Sequence, residues 1–86
     1  MTQFVIHPRL LADCHRLGRI GTCHLLLHRN AALPWFILVP ETQVTDLLDL
    51  SLGAREAALD ACTLVACYIK AEFGVPKVNF AAIGNL

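Results

Sequence analysis

The segment from Cys23 to Glu41 constrains the fold of this chain more than any other part of the sequence. Thr22 to Leu27 is rich in leucine, while Trp35 to Val39 is aromatic and β-branched and is followed by Pro40. Apolar runs of this length, bounded by turn-forming residues, are typical of strands. The residues between them, 30 to 34, include asparagine and proline, which favour a turn. The segment therefore predicts two strands joined by a hairpin loop.

A long helix is predicted downstream, from about Leu52 to Phe73. Ser51 is suited to cap its first turn and Gly74 to end it. Val44 to Leu50 carries leucines at helical spacing and predicts a single turn before the cap. The stripe expected to be apolar consists of Leu59, Cys62, Val65, Ala66, Ile69 and Phe73, opposite a narrower polar stripe.

The two ends of the chain predict shorter elements. Phe4 to Ile6 is expected to form a short edge strand, and Pro8 to begin a turn of helix that runs to Asp13. Val78 to Ile83 is apolar at nearly every position and predicts another strand. These elements together predict an α+β fold in which one long helix packs on an antiparallel sheet.

The composition limits domain organisation and partners. With 86 residues, 56% of them hydrophobic, and no linker-like segment, residues 1–86 are expected to form a single domain. Seven basic residues balance seven acidic ones, which argues against nucleic acid and an anionic membrane surface as partners. The N-terminus lacks the pattern of a secretory signal, so a cytoplasmic location is expected.

The four cysteines are expected to be free thiols. Cys62 and Cys67 are five residues apart on the predicted helix and point about 140° away from each other, so they cannot form a disulfide with one another. A reducing compartment is the simpler interpretation.

No catalytic constellation, cofactor motif or metal motif stands out in the sequence. His24 and His28 share one face of a predicted strand but are separated by about 13 Å of backbone, too far to share one ion. Neighbouring cysteine and histidine residues on a strand point to opposite faces, so they form no nucleophilic pair. A more distant hypothesis is a small metal-binding domain using Cys14, His15, Cys23 and His24.

Two asparagines are candidate ligand-binding residues. Asn30 follows the first hairpin strand and Asn85 follows Gly84. Both positions favour asparagine for turn formation alone. The functional interpretation is a side-chain amide that faces a ligand, and spacing alone favours the turn.

Considered as an ordered pattern, these residues resemble the histidine triad (HIT) superfamily, and within it a bacterial group of HIT-like proteins. The resemblance covers nearly all of the chain and depends mainly on PWFILVP at residues 34–40, followed at the right distance by VNFAAIGN at residues 78–85. It implies an antiparallel sheet of about five strands with a long helix packed on it. It also implies a homodimer that extends the sheet.

The resemblance further implies a function. Members bind purine nucleotides or dinucleoside polyphosphates and cleave a phosphoanhydride or phosphoramidate link, using three alternating histidines on the last strand. None of the histidines here, at positions 7, 15, 24 and 28, aligns with those three. That strand would follow Asn85, so the domain is expected to be incomplete at its C-terminus and inactive in this form, with no catalytic residue to assign.

The resemblance also implies roles for residues of this chain on the nucleoside side of the family's nucleotide-binding pocket. Asn30 matches the position that grips ribose hydroxyls, and Asn85 the position beside the phosphates. His28 and Arg29 depart from the family's pattern. The resemblance therefore leaves two alternative functions. The first is a nucleotide-binding protein related to nucleotidyl hydrolases and transferases, and the second is a non-catalytic dimerising or binding module on the same scaffold.

Overall fold

The computed structural model describes residues 4–30, 32 and 34–83, and the chain divides into two compact units, Met1–Gln43 and Val44–Leu86. The first unit holds a short helix and a three-stranded antiparallel sheet, and the second holds a long helix. The elements are α1 (Pro8–Asp13), β1 (Cys14–Ile20), β2 (Cys23–His28), β3 (Phe36–Pro40), a 3₁₀ turn (Leu47–Asp49) and α2 (Leu52–Phe73). The predicted α+β class is confirmed.

The predicted hairpin is confirmed as β2 and β3. The two strands are antiparallel, with Cys23 opposite Pro40 and Leu27 opposite Phe36. Each strand begins and ends one residue later than predicted. Because β2 lies between β1 and β3, it is the central strand of the sheet.

Strand β1 was not predicted from the sequence. It pairs with β2 from Cys14 opposite His28 to Ile20 opposite Cys23. Most of its side chains are exposed, so it lacks the apolar alternation that marks a strand. Gly18, with φ 146°, lies at an irregularity in the register, where a bulge lets the strand bend.

The core of the first unit lies on the face of the sheet covered by α1 and the residues before it. Ile6, Cys14 and Leu26 are buried. Partly buried residues packed against them are Phe4, Leu10, Leu11, Ile37 and Val39. The predicted edge strand at Phe4 to Ile6 is wrong, since these residues form no strand and Ile6 instead fills the core.

Helix α2 has the predicted bounds and ends. The Ser51 hydroxyl accepts a hydrogen bond from the Ala54 N–H at 3.2 Å, and Gly74 ends the helix in the left-handed conformation with φ 63°. The buried line runs through Ala58, Ala61 and Val65. The predicted apolar stripe is therefore only partly right, because small alanines rather than the larger side chains beside them are the most buried.

The strand predicted at Val78 to Ile83 is absent, although all of these residues are described. An extended segment becomes a strand only when its backbone groups pair with a neighbour, and these residues take no part in the sheet. Val78 and Phe80 instead line a shallow apolar cleft together with Leu59, Cys62, Thr63 and Ala66 of α2. The cleft explains why part of the predicted stripe stays partly exposed.

All four cysteines are described, and none of them forms a disulfide. None of the helices among the described residues is both long and apolar enough to cross a membrane.

Candidate functional site

Asn30 lies in the turn directly after β2 and is exposed. Its backbone N–H donates a hydrogen bond to Nδ1 of His28 at 3.2 Å, so the turn interpretation of this position has a structural basis. An exposed amide beside the end of a central strand is also available to a ligand. The second predicted residue, Asn85, lies outside the described residues.

His28 and Trp35 form a stacked pair beside Asn30. Their ring centroids are 4.6 Å apart and their planes differ by 14°. The His28 N–H donates to the Trp35 carbonyl at 3.0 Å, extending the β2–β3 ladder by one residue and placing the two rings side by side. Trp35 is still 46% exposed. This end of the hairpin therefore presents an indole ring supported by an imidazole.

The turn is tied to the rest of the first unit. The Arg29 N–H donates to the carbonyl of Asp13 at 2.9 Å, where α1 passes into β1. In the β1–β2 register His28 lies opposite Cys14, a buried core residue. The exposed amide and the ring pair are thus attached to a hydrogen-bonded part of the sheet.

A second polar cluster lies at the other end of the same face of β2. Oε1 of Glu41 is 2.8 Å from Nε2 of His24 and 2.9 Å from Nη2 of Arg19. Arg19 and His24 are direct cross-strand partners, and the Glu41 N–H donates to the Thr22 carbonyl at 2.9 Å. One carboxylate therefore links all three strands at this end of the sheet.

The surroundings of His24 indicate a structural role. Its side chain is only 11% exposed, and Phe4 stacks on its ring with centroids 5.6 Å apart. A buried polar ring needs a hydrogen-bond partner, and Glu41 supplies one. The cluster holds the sheet together and leaves His24 little room to meet a substrate.

The arrangement of the cysteines argues against a nucleophilic or metal-binding role. Burial raises the pKa of the Cys14 thiol, nearby Asp13 raises it further, and Arg29 opposes the change, so the reactive thiolate is disfavoured. Cys14 and Cys23 lie at opposite ends of the β1–β2 ladder. Among the described residues no three histidine, cysteine or acidic side chains come together as a metal site.

The ring pair and the Glu41 cluster were both missed by sequence reasoning. Seven residues separate His28 from Trp35, and 17 separate His24 from Glu41. Each contact depends on the register of neighbouring strands, and β1 was not predicted at all. The one available signal was the position of Trp35 as the first residue of the second predicted strand.

Comparison with solved structures identifies close relatives of this fold. The structure matches a histidine triad protein from Marinobacter aquaeolei with a TM-score of 0.90 and 32% sequence identity over 99% of this chain. It matches a histidine triad (HIT) protein from Sinorhizobium meliloti with a TM-score of 0.91 and 31% identity over the whole chain. A histidine triad protein from Bradyrhizobium japonicum matches 96% of this chain with a TM-score of 0.88 and 27% identity.

This chain spans less than two thirds of each of those proteins: 63% of the Marinobacter and Bradyrhizobium chains and 64% of the Sinorhizobium chain. Sequence comparison alone matches no protein-family model and no curated protein. The relationship is therefore carried by the three-dimensional fold together with about 30% identity.

Proposed function

This chain has the fold of the histidine triad superfamily, and we propose on that basis that it is a nucleotide-binding protein for purine nucleotides or dinucleoside polyphosphates. The observation that carries the proposal is the exposed turn at Asn30, attached to the sheet and placed beside the His28–Trp35 pair. An amide can accept from and donate to vicinal ribose hydroxyls at once. Asn85 is proposed to act beside the phosphates.

The proposal assigns binding, and not phosphoryl transfer, to these 86 residues. Phosphoryl transfer requires a positioned nucleophile and electrostatic stabilisation of the phosphoryl oxygens. The histidines present, at positions 7, 15, 24 and 28, do not alternate along a strand.

Calorimetric titration with AMP and with diadenosine tetraphosphate tests the proposal. We expect saturable binding that weakens about 3- to 10-fold in Asn30→Ala, the loss expected for one hydrogen bond, and a smaller loss of affinity in Asn30→Asp. Gln43→Ala is the matched control, because Gln43 is an exposed amide of the same unit and follows the end of β3 that pairs with the start of β2, whereas Asn30 follows the end of β2. Absence of binding at millimolar nucleotide, or equal affinities for Asn30→Ala and wild type, would contradict the assignment.

A dimerising module is the second candidate, and the distribution of exposed apolar side chains favours it. Most of the large hydrophobic residues that are exposed belong to the second unit; on α2 and after it they include Leu52, Leu64, Tyr68, Phe73, Phe80 and Ile83. Exposed apolar surface of this extent is typical of an interaction site. The proposed partner is a second copy of the chain.

Light scattering coupled to gel filtration distinguishes the two candidates. A homodimer that does not bind AMP supports the dimerising module alone, whereas a folded monomer that binds AMP supports the nucleotide-binding function alone. The absence of disulfides among the four cysteines supports the further proposal of a cytoplasmic location, where thiols are kept reduced.

A further inference from the structure

Trp35 is the one tryptophan of the chain, and it lies at the end of the sheet that holds Asn30. It precedes a strand whose residues are all partly buried, yet 46% of its own surface is exposed. Because His28 stacks on the indole at 4.6 Å, one ring face is covered. The exposed surface therefore belongs to the other face and the ring edges.

Two hydrogen bonds hold His28 in place against Trp35. The His28 backbone bonds to the Trp35 carbonyl, and Nδ1 of His28 accepts from the Asn30 N–H. The ring pair is thus ordered before any ligand arrives, which lowers the entropic cost of stacking a further ring on it.

We propose that the open face of Trp35 is a stacking platform for the purine base of the bound nucleotide, with His28 as the residue that positions the indole. The inference rests on the proposed nucleotide-binding function and adds to it the group that recognises the base. Every nucleobase has a planar π face, so an indole platform favours aromatic bases in general over the sugar phosphate alone. Asn30 lies in the same turn, where it meets the ribose of a base stacked on this platform.

Fluorescence titration of Trp35 provides a direct test, since excitation beyond the absorption band of Tyr68 leaves this tryptophan as the one emitting residue of the wild-type chain. AMP is expected to quench the emission in proportion to the binding measured by calorimetry. Ribose 5-phosphate, which has no base, is expected to leave the emission unchanged. Binding of AMP without any change in emission would overturn the platform while leaving the nucleotide-binding function intact.

Variants of the ring pair provide the second test. Trp35→Ala is expected to weaken AMP binding about 10-fold or more, within the roughly 5- to 150-fold range for loss of one base–aromatic stack. Trp35→Phe is expected to restore most of the affinity, and His28→Ala to give an intermediate loss. Affinity for ribose 5-phosphate is expected to be the same in all of them, which a general loss of structure would not produce.

The control is Leu17→Ala, which removes an apolar side chain of similar exposure from β1 in the same unit and is expected to bind AMP as wild type does. If Trp35→Ala keeps its circular dichroism spectrum and binds AMP within twofold of wild type, the platform is refuted and the nucleotide-binding function stands. If the wild-type chain binds no AMP, both are refuted.

Discussion

Replacing Leu26 with alanine tests whether the small core described here stabilises the first unit. Leu26 lies in the middle of the central strand and is 0% exposed, in contact with Ile6, Cys14 and partly buried neighbours. Three buried carbons are removed, which costs about 2.4 kcal/mol of transfer free energy, and the residual cavity adds to it. We expect a loss of about 3 kcal/mol in the free energy of unfolding.

That loss is large for a chain of this size. At about 0.05–0.15 kcal/mol per residue, 86 residues have a stability of about 4–13 kcal/mol. Urea denaturation is the assay, with Trp35 fluorescence reporting on the first unit and far-ultraviolet circular dichroism reporting mainly on α2. With a slope of about 2 kcal/mol/M, the midpoint should fall by about 1.5 M.

Two further variants keep this prediction open to refutation. Leu48→Ala is the matched control, since Leu48 is 74% exposed, and its effect should stay within about 0.5 kcal/mol. If Leu26→Ala does not fold, Leu26→Val, which removes one carbon, should lose about 1 kcal/mol. A loss below about 1 kcal/mol in a folded Leu26→Ala would mean that the core is not centred on this residue.

Three more outcomes are expected. Gly74→Ala should lower the free energy of unfolding by about 1 kcal/mol, because Gly74 has φ 63°; Gly53→Ala should raise it by about 0.5 kcal/mol, because an added Cβ there meets no atom within 4 Å. Thermal unfolding of both variants would check the opposite signs. In a thiol titration at pH 8 the exposed Cys67 should react first, since burial raises the pKa of Cys14 and Cys62; a faster reaction at Cys14 would contradict its burial. The raised pKa of Cys14 also means that the unfolded chain loses this proton first, near the ordinary value of 9.0. The stability that the buried Cys14 thiol contributes should therefore be fully present below pH 9 and be lost as the pH rises above it. Chemical denaturation at several pH values should show this fall in the free energy of unfolding for wild type and not for Cys14→Ala.

The elements predicted from sequence are those with strong local signals. β3 is an apolar run that ends at Pro40, and α2 has a capping Ser51 and a terminating Gly74. Such signals act through the conformational preferences of a few neighbouring residues, so they do not need the rest of the fold. This is why the bounds of α2 were predicted to the residue.

The elements that could not be predicted depend on partners distant in sequence. β1 carries Arg16, Gly18 and Arg19, and only its pairing with the leucines of β2 makes it a strand. At residues 78–83 the prediction failed in the opposite way, because a strand was predicted and none forms. The composition of these residues favours extended backbone, but they pair with no strand of the sheet. A local pattern specifies backbone preference, whereas strand identity also requires a neighbour.

The two histidines of β2 show that a candidate site, like a strand, depends on partners that are distant in sequence. His24 and His28 are four residues apart on one face of the same strand, and nothing in their local sequence separates their roles. Their neighbours in space do separate them: Glu41 and Phe4 enclose His24, so its ring has little room to meet a ligand. His28 has Trp35 beside it, and because nearly half of the surface of Trp35 is exposed, the pair can still meet a ligand. Assigning a function to a histidine on a strand therefore requires the register of the strands on either side of it.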